Sequence, residues 1–270
     1  MKPKKRIFGT IFMVLLMIFF YAPIIYIIIF SFNSGTSLSR LDGFSLRWYE
    51  KMFEDRTMRS AVINTVTIAI LATVISTIAG TITAIGLSKS GKVLRNIVEQ
   101  VNQFPIMNPE IVTAIGLLML FSSLHVTKGY MTMLLAHIMF CIPYVILSIM
   151  PKLRSLDPNI AEAAMDLGAT PWQAMTKVIV PQIRPGIISG ALIAFTMSFD
   201  DFVISYFVTG NGVNNISIWV YAKSKRINPS VYSLSTLVIV IIAVALGLIN
   251  LIQFLAEKKN KTKNKKASEV

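Results

Sequence analysis

Three carboxylates, Glu110 in NPEIV and the adjacent Asp200 and Asp201 in MSFDDFV, sit inside apolar runs long enough to cross a bilayer. A charged side chain at the centre of a membrane helix costs on the order of 2.5–3.5 kcal/mol on insertion scales, so such residues face the interior of a helix bundle. No Lys or Arg lies at comparable depth. Acids grouped without basic partners read as a site or path for a cation. The other use open to them is interhelical hydrogen bonding through a protonated carboxyl. Neighbouring residues on a helix point about 100° apart, so Asp200 and Asp201 cannot both face one axis. One is expected to face the path and the other to bond a neighbouring helix, with His137 as a candidate partner. A satisfied histidine at a helix interface accounts for His137 equally well. Phe199, Tyr206, Trp219 and Tyr221 fall near the outer mouth of the same region. Their rings suit cation–π contacts, and they suit packing or an interfacial belt as well.

Covalent chemistry has little to work with. The sequence holds no H-E-x-x-H and no G-x-S-x-G, and His125 and His137 stand twelve residues apart on opposite sides of a loop. Neither a metal site nor a catalytic triad can be assembled, and no cofactor is expected in this chain.

The elements that must hold the acids are membrane helices. Of 270 residues, 54% are hydrophobic and only 14% charged, which is far from the balance of an ordinary soluble domain. Six runs reach the roughly 20 apolar residues that span a hydrocarbon core, near 7–32, 61–87, 97–122, 131–150, 186–209 and 232–255. The expected fold is all-α and polytopic. The first run follows Lys2, Lys4, Lys5 and Arg6 but is too long for a signal peptide and lacks a small-residue cleavage site, so it reads as a retained helix. With the N-terminus inside, segments 1–6, 88–96, 151–185 and 256–270 hold 17 of the 26 basic residues. The positive-inside rule then places both termini in the cytoplasm of a multi-pass cell-membrane protein. The lysine-rich tail, 256–270, reads as a topology and anionic-lipid anchor rather than a nucleic-acid patch. The lone Cys141 lies within the fourth run and has no partner for an internal disulfide.

Polar residues punctuate this pattern. The third run opens with Glu99, Gln100, Asn102 and Gln103 and passes Pro105 and Pro109, so its first half must face protein or a wet cavity. Small and hydroxylated residues fill the second run, which suits close helix packing. The outer loop 33–60 is long and polar, and its Trp48 and Tyr49 read as interfacial anchors, with a docking surface as the other use.

Between the fourth and fifth runs lies a soluble-looking insert, EAAMDLGATPWQAM, from Glu162 to Met175. Asp157-Pro158 has the form of an N-cap with proline at the first helical position, and predicts a helix from there to Leu167. Gly168 can then turn left-handed at the helix end. Thr170-Pro171, with Gln173 closing a capping box, starts a second short helix expected to end before Pro181. Ala163 and Ala164 put little bulk around Glu162. The caps alone fit a well-capped interfacial hairpin just as well as a docking surface.

The segment EAAMDLGATPWQAMTKVIVP resembles the EAA loop of binding-protein-dependent ABC importer permeases. Glu162, Ala163, Ala164, Gly168 and Pro181 match that pattern, and Val178 and Val180 stand for its Ile and Leu. The resemblance implies a type I importer permease fold of six helices, with core residues 61–255 following the first helix and outer loop. It implies that Glu162, Ala163, Ala164 and Gly168, in the cytoplasmic coupling loop 151–185, seat on a separate ATPase. This chain lacks a G-x-x-x-x-G-K-[ST] loop, so ATP and Mg belong to that partner. With one coupling loop per chain, a second permease, identical or related, is expected.

SFDDFVISYFVTG, NPEIV and INPSVYSLSTL further resemble segments of spermidine/putrescine permeases. That likeness implies import of a linear polyamine delivered by an extracellular or periplasmic binding protein, with Glu110, Asp200, Asp201, Phe199 and Tyr206 along the path. Other small solutes are alternatives within the class. A secondary cation transporter is a further alternative, although the sequence shows no repeated halves with interrupted helices.

Overall fold

Apolar runs broken only by caps and prolines leave the backbone one solution in lipid, which is to bond to itself along a helix. In the computed structural model, which describes residues 3–37, 39–210, 212–224, 228–244 and 247, nearly every element is helical. Among the described residues no strand forms beyond one antiparallel bridge between Asn33 and Phe44. In chain order the helices are α1 (Pro3–Ser31), α2 (Arg47–Glu54), α3 (Arg56–Lys89), α4 (Lys92–Met107), α5 (Glu110–Ser123) and α6 (Tyr130–Arg154). They continue as α7 (Ile160–Asp166), α8 (Pro171–Asp200), α9 (Val203–Val208), α10 (Ile216–Ser224) and α11 (Ser230–Val244).

Among the described residues α1, α3, α6 and α8 are long and apolar enough to cross a membrane, and the bent pair α4–α5 makes a fifth candidate. The expected sixth span, 232–255, is described only as far as α11. Apart from residue 247, its remainder lies outside the described residues, as does the basic tail.

The chain divides into two compact units. The first comprises residues 1–56 and 222–270. Within it the Trp48 indole is buried and donates to the carbonyls of Asn33 (2.9 Å) and Gly35 (3.2 Å). The Asn33 side chain in turn gathers the loop, donating to Arg40 O and accepting from the Asp42 amide. Trp48 therefore organises the loop after α1 from inside, buried where an interfacial anchor was expected. The loop is also shorter than 33–60, because α3 starts at Arg56.

The second unit, residues 57–221, carries the acids. Its core is built on α6, where Ile146, Ile149 and Val145 meet Ile68 of α3 and Ile183 and Ala194 of α8. Glycines permit this closeness. A Cβ on Gly80 of α3 would stand 2.7 Å from Val145 Cγ1, and one on Gly190 of α8 would stand 3.1 Å from Val145 Cα. Small residues at such crossings let backbones approach where lipid supplies no hydrophobic drive.

Three boundaries differ from the expectation. The third span is not continuous, since Asn108 and Pro109 separate α4 from α5 and the two axes diverge by 105°. Pro109 lacks an amide hydrogen and forces the preceding residue to be extended, as the Asn108 angles (φ −77, ψ 145) record. The fifth span also breaks, ending α8 at Asp200 and leaving Asp201 extended before α9. The second helix of the insert does not stop before Pro181. It runs on as α8 through a π turn over Ala174–Ile179, in which the Val180 amide bonds the Met175 carbonyl. That wider turn makes room for proline where an α-helix would clash.

Candidate functional site

The break at Asn108-Pro109 makes Glu110 the first residue of α5, and the break after Asp200 makes that residue the last of α8. Both open onto one cleft of about 250 Å³, together with Asp201. Thr113, Tyr144 and Thr196 add hydroxyls to its wall, Phe140 and Phe202 add rings, and among the described residues no Lys or Arg lines it. The structure thus brings the three sequence-predicted acids together from two interrupted helices. The geometry differs from the expectation in one respect: Asp200 and Asp201 are not neighbours on a continuous helix but flank its end.

Their electrostatic settings differ. Glu110 sits in the first turn of α5, where free amides carry partial positive charge and favour a carboxylate. Asp200 ends α8, where the last carbonyls carry partial negative charge, and it is exposed to the cleft. Asp201 is buried and turned back onto α9, accepting from the Ile204 amide (3.2 Å), the Ser205 amide (2.7 Å) and the Ser205 hydroxyl (2.7 Å). Its carbonyl accepts from Asn215 Nδ2 at 2.8 Å. His137, fully buried on α6, lies against Ser198 through Nδ1 (2.6 Å) and Ser205 through Nε2 (2.9 Å). The Nε2 atom is 3.5 Å from Asp201 Oδ2.

The aromatic residues divide. Tyr206 and Tyr221 are exposed and form a cluster with Phe202, whose ring lines the cleft, at centroid distances of 5.0–5.8 Å. Phe199 stacks on Phe195 outside the cleft lining, and Trp219 is buried.

The insert forms a compact pair of helical turns. Asp157 is not the cap of α7: its Oδ1 accepts the Asn159 amide across a turn that delays the helix to Ile160, with Asn159 in the cap position. At the other end Gly168 is left-handed (φ +89), its amide bonding Met165 O (2.9 Å) and the Ala169 amide bonding Ala164 O (3.1 Å). These two bonds complete a Schellman motif. The next helix opens with the capping box as expected, with Thr170 Oγ1 accepting from Gln173 N and Gln173 Oε1 from Thr170 N. Glu162, Ala163 and Gly168 are exposed, and Ala164 is half-buried.

A family model described as binding-protein-dependent transport system inner membrane component matches residues 76–261. The chain belongs to this family. It is therefore a permease of the ABC importer class, a multi-pass membrane subunit that transports and does not catalyse covalent chemistry. The permease is 38% identical over 251 residues to the putrescine transport system permease protein PotI of Escherichia coli strain K12, covering 88% of this chain and 85% of that one. It is 36% identical to the spermidine/putrescine transport system permease protein PotC of Haemophilus influenzae, over 92% of this chain and 96% of that one. A crystal structure of a bacterial ABC transporter involved in import of the acidic polysaccharide alginate shares its fold at TM-score 0.72 and 19% identity, covering 94% of this chain and 98% of that one.

Sequence reasoning missed two features of the permease. Leu167 and Trp172 are 91% and 68% exposed on either side of the Gly168 turn, where a polar surface would be expected. Their place beside a glycine turn in a segment between two apolar spans was a legible signal. The Ser198 and Ser205 partners of His137 carried none, since they meet it only through the break in span five.

Proposed function

We propose that this permease is one of two membrane subunits of an ATP-driven polyamine importer, with both termini in the cytoplasm. One observation carries the substrate reading: Glu110, Asp200 and Asp201 converge on a single cleft that, among the described residues, no Lys or Arg lines. A polyamine is a polycation at neutral pH, and a cleft of one sign focuses field and concentrates the opposite charge. The Phe202, Tyr206 and Tyr221 rings beside it suit the alkylammonium chain. The names of the relatives, which are putrescine and spermidine/putrescine permeases, agree with this chemistry.

The α7 segment couples this path to ATP bound with Mg on a separate ATPase. Exposed Leu167 and Trp172, next to Glu162 and the rigid Gly168 turn, form an apolar docking surface of the kind that marks a protein contact. A binding protein outside the membrane delivers cargo, as suggested by a related alginate transporter structure solved with its periplasmic protein (TM-score 0.67). Reconstitution with the ATPase, the second permease and the binding protein tests the reading. Polyamine-loaded binding protein should stimulate ATP hydrolysis and uptake, whereas stimulation by other solutes alone would remove the substrate assignment.

A further inference from the structure

The two adjacent aspartates have opposite surroundings. Asp201 spends its oxygens inside the protein, on the Ile204 and Ser205 amides and the Ser205 hydroxyl. Asp200 spends none on α9 and stands at the carbonyl end of α8. A carboxylate at that end gains nothing from its own helix and most from an external cation.

The reason they part lies in the chain Ser198, His137, Ser205, Asp201. Ser205 has one hydroxyl hydrogen, and it goes to Asp201 Oδ2. Ser205 Oγ must then accept from His137 Nε2–H, and Nδ1 of a neutral ring accepts the Ser198 hydroxyl. Each hydrogen is donated once and each ring nitrogen has a partner. Ser198 lies in the last turn of α8, Ser205 lies in α9, and His137 on α6 bridges them across the break. The histidine therefore touches both sides of the interruption and neither wall of the cleft.

We propose that His137, acting through Ser205, is a positioning residue that keeps Asp201 turned onto the start of α9 and leaves Asp200 as the acid that meets the cargo. The assignment of cargo rests on the polyamine reading, but the positioning does not, and the two are separable by experiment.

In the reconstituted transporter, Asp201→Asn keeps an oxygen able to cap α9 and should raise the half-saturating cargo concentration less than Asp200→Asn does. Asp200→Asn should raise it by about tenfold or more, the scale of a lost charge-assisted contact. Equal effects of the two substitutions would overturn the division. Positioning is read without cargo, by labelling Asp200→Cys in the assembled complex with a membrane-impermeant charged thiol reagent. Adding Ser205→Ala, which deletes one oxygen and leaves the backbone cap, should slow labelling at position 200, as should His137→Leu. His137→Gln, which can still donate to Ser205, should restore part of the rate. Unchanged labelling in the Ser205→Ala complex would refute the role of His137, whatever the cargo. If His137→Leu fails to assemble, the Ser205→Ala and His137→Gln results decide alone.

Discussion

Gly168 offers the sharpest test of the proposed coupling segment, because its turn is set by backbone angle and not by size. At φ +89 it lies where a residue with a Cβ is disfavoured by about 1–2 kcal/mol. An added Cβ there would meet nothing within 4 Å, so a substitution carries no clash and the penalty is conformational alone. In the free loop an alanine relaxes to negative φ, giving up the Met165 and Ala164 carbonyl bonds, and the cost falls on docking. A penalty of about 1–2 kcal/mol weakens the ATPase–permease contact roughly 5–30-fold. The assay is titration of the ATPase onto the reconstituted permease, reading the apparent Kd and the cargo-stimulated hydrolysis. The expected order is Gly tightest, then Asn, whose amide tolerates the left-handed region, then Ala, then the β-branched Val. Alanine binding as tightly as glycine, or more tightly than asparagine, would refute the backbone argument.

Other expectations concern the frame that holds the cleft. Gly80→Ala should lower the stability of the detergent-solubilised complex by about 1–3 kcal/mol through overpacking against Val145, and adding Val145→Ala should recover much of it. Gly86→Ala, with open space around the new methyl, should be neutral or stabilising by up to about 1 kcal/mol in the same melt. Trp48→Phe should strand the Asn33 and Gly35 carbonyls at a cost of about 1–3 kcal/mol and speed trypsin cleavage after exposed Arg40. Glu99→Gln, which removes the charge that the exposed Arg154 Nη2 bonds through both carboxylate oxygens, should shift stability by less than about 1 kcal/mol.

The legibility of these features in the sequence followed their locality. The Thr170 box and the Gly168 turn are written within a few residues of where they act, and both formed as read. Asp157-Pro158 looked like a helix start, yet the Asp157 side chain found Asn159 first and spent itself on a turn. Pro109 was visible as a flaw in span three, but hydropathy averaged over a window joins what the backbone separates by 105°. The break after Asp200 has no Gly or Pro to announce it. Beside it Asp201 meets Ser205 and His137, which lie 4 and 64 residues away along the chain, contacts that only the folded structure reveals. Pro181 misled in the other direction, because a π turn absorbed a residue that usually ends a helix. The acids were found by their cost, since a carboxylate in an apolar run needs a reason. Their convergence on one cleft depended on two helix breaks that composition does not encode.

These carboxylates are proposed to form a path for a polycation. The most direct test of that path is uptake of labelled putrescine and spermidine by proteoliposomes carrying the complete transporter, with Glu110→Gln, Asp200→Asn and the double substitution in this permease. The expected result is complexes that assemble and hydrolyse ATP, with a half-saturating cargo concentration raised by each single change and further by the double. Assembled complexes that take up both polyamines at the unsubstituted concentration dependence would contradict it.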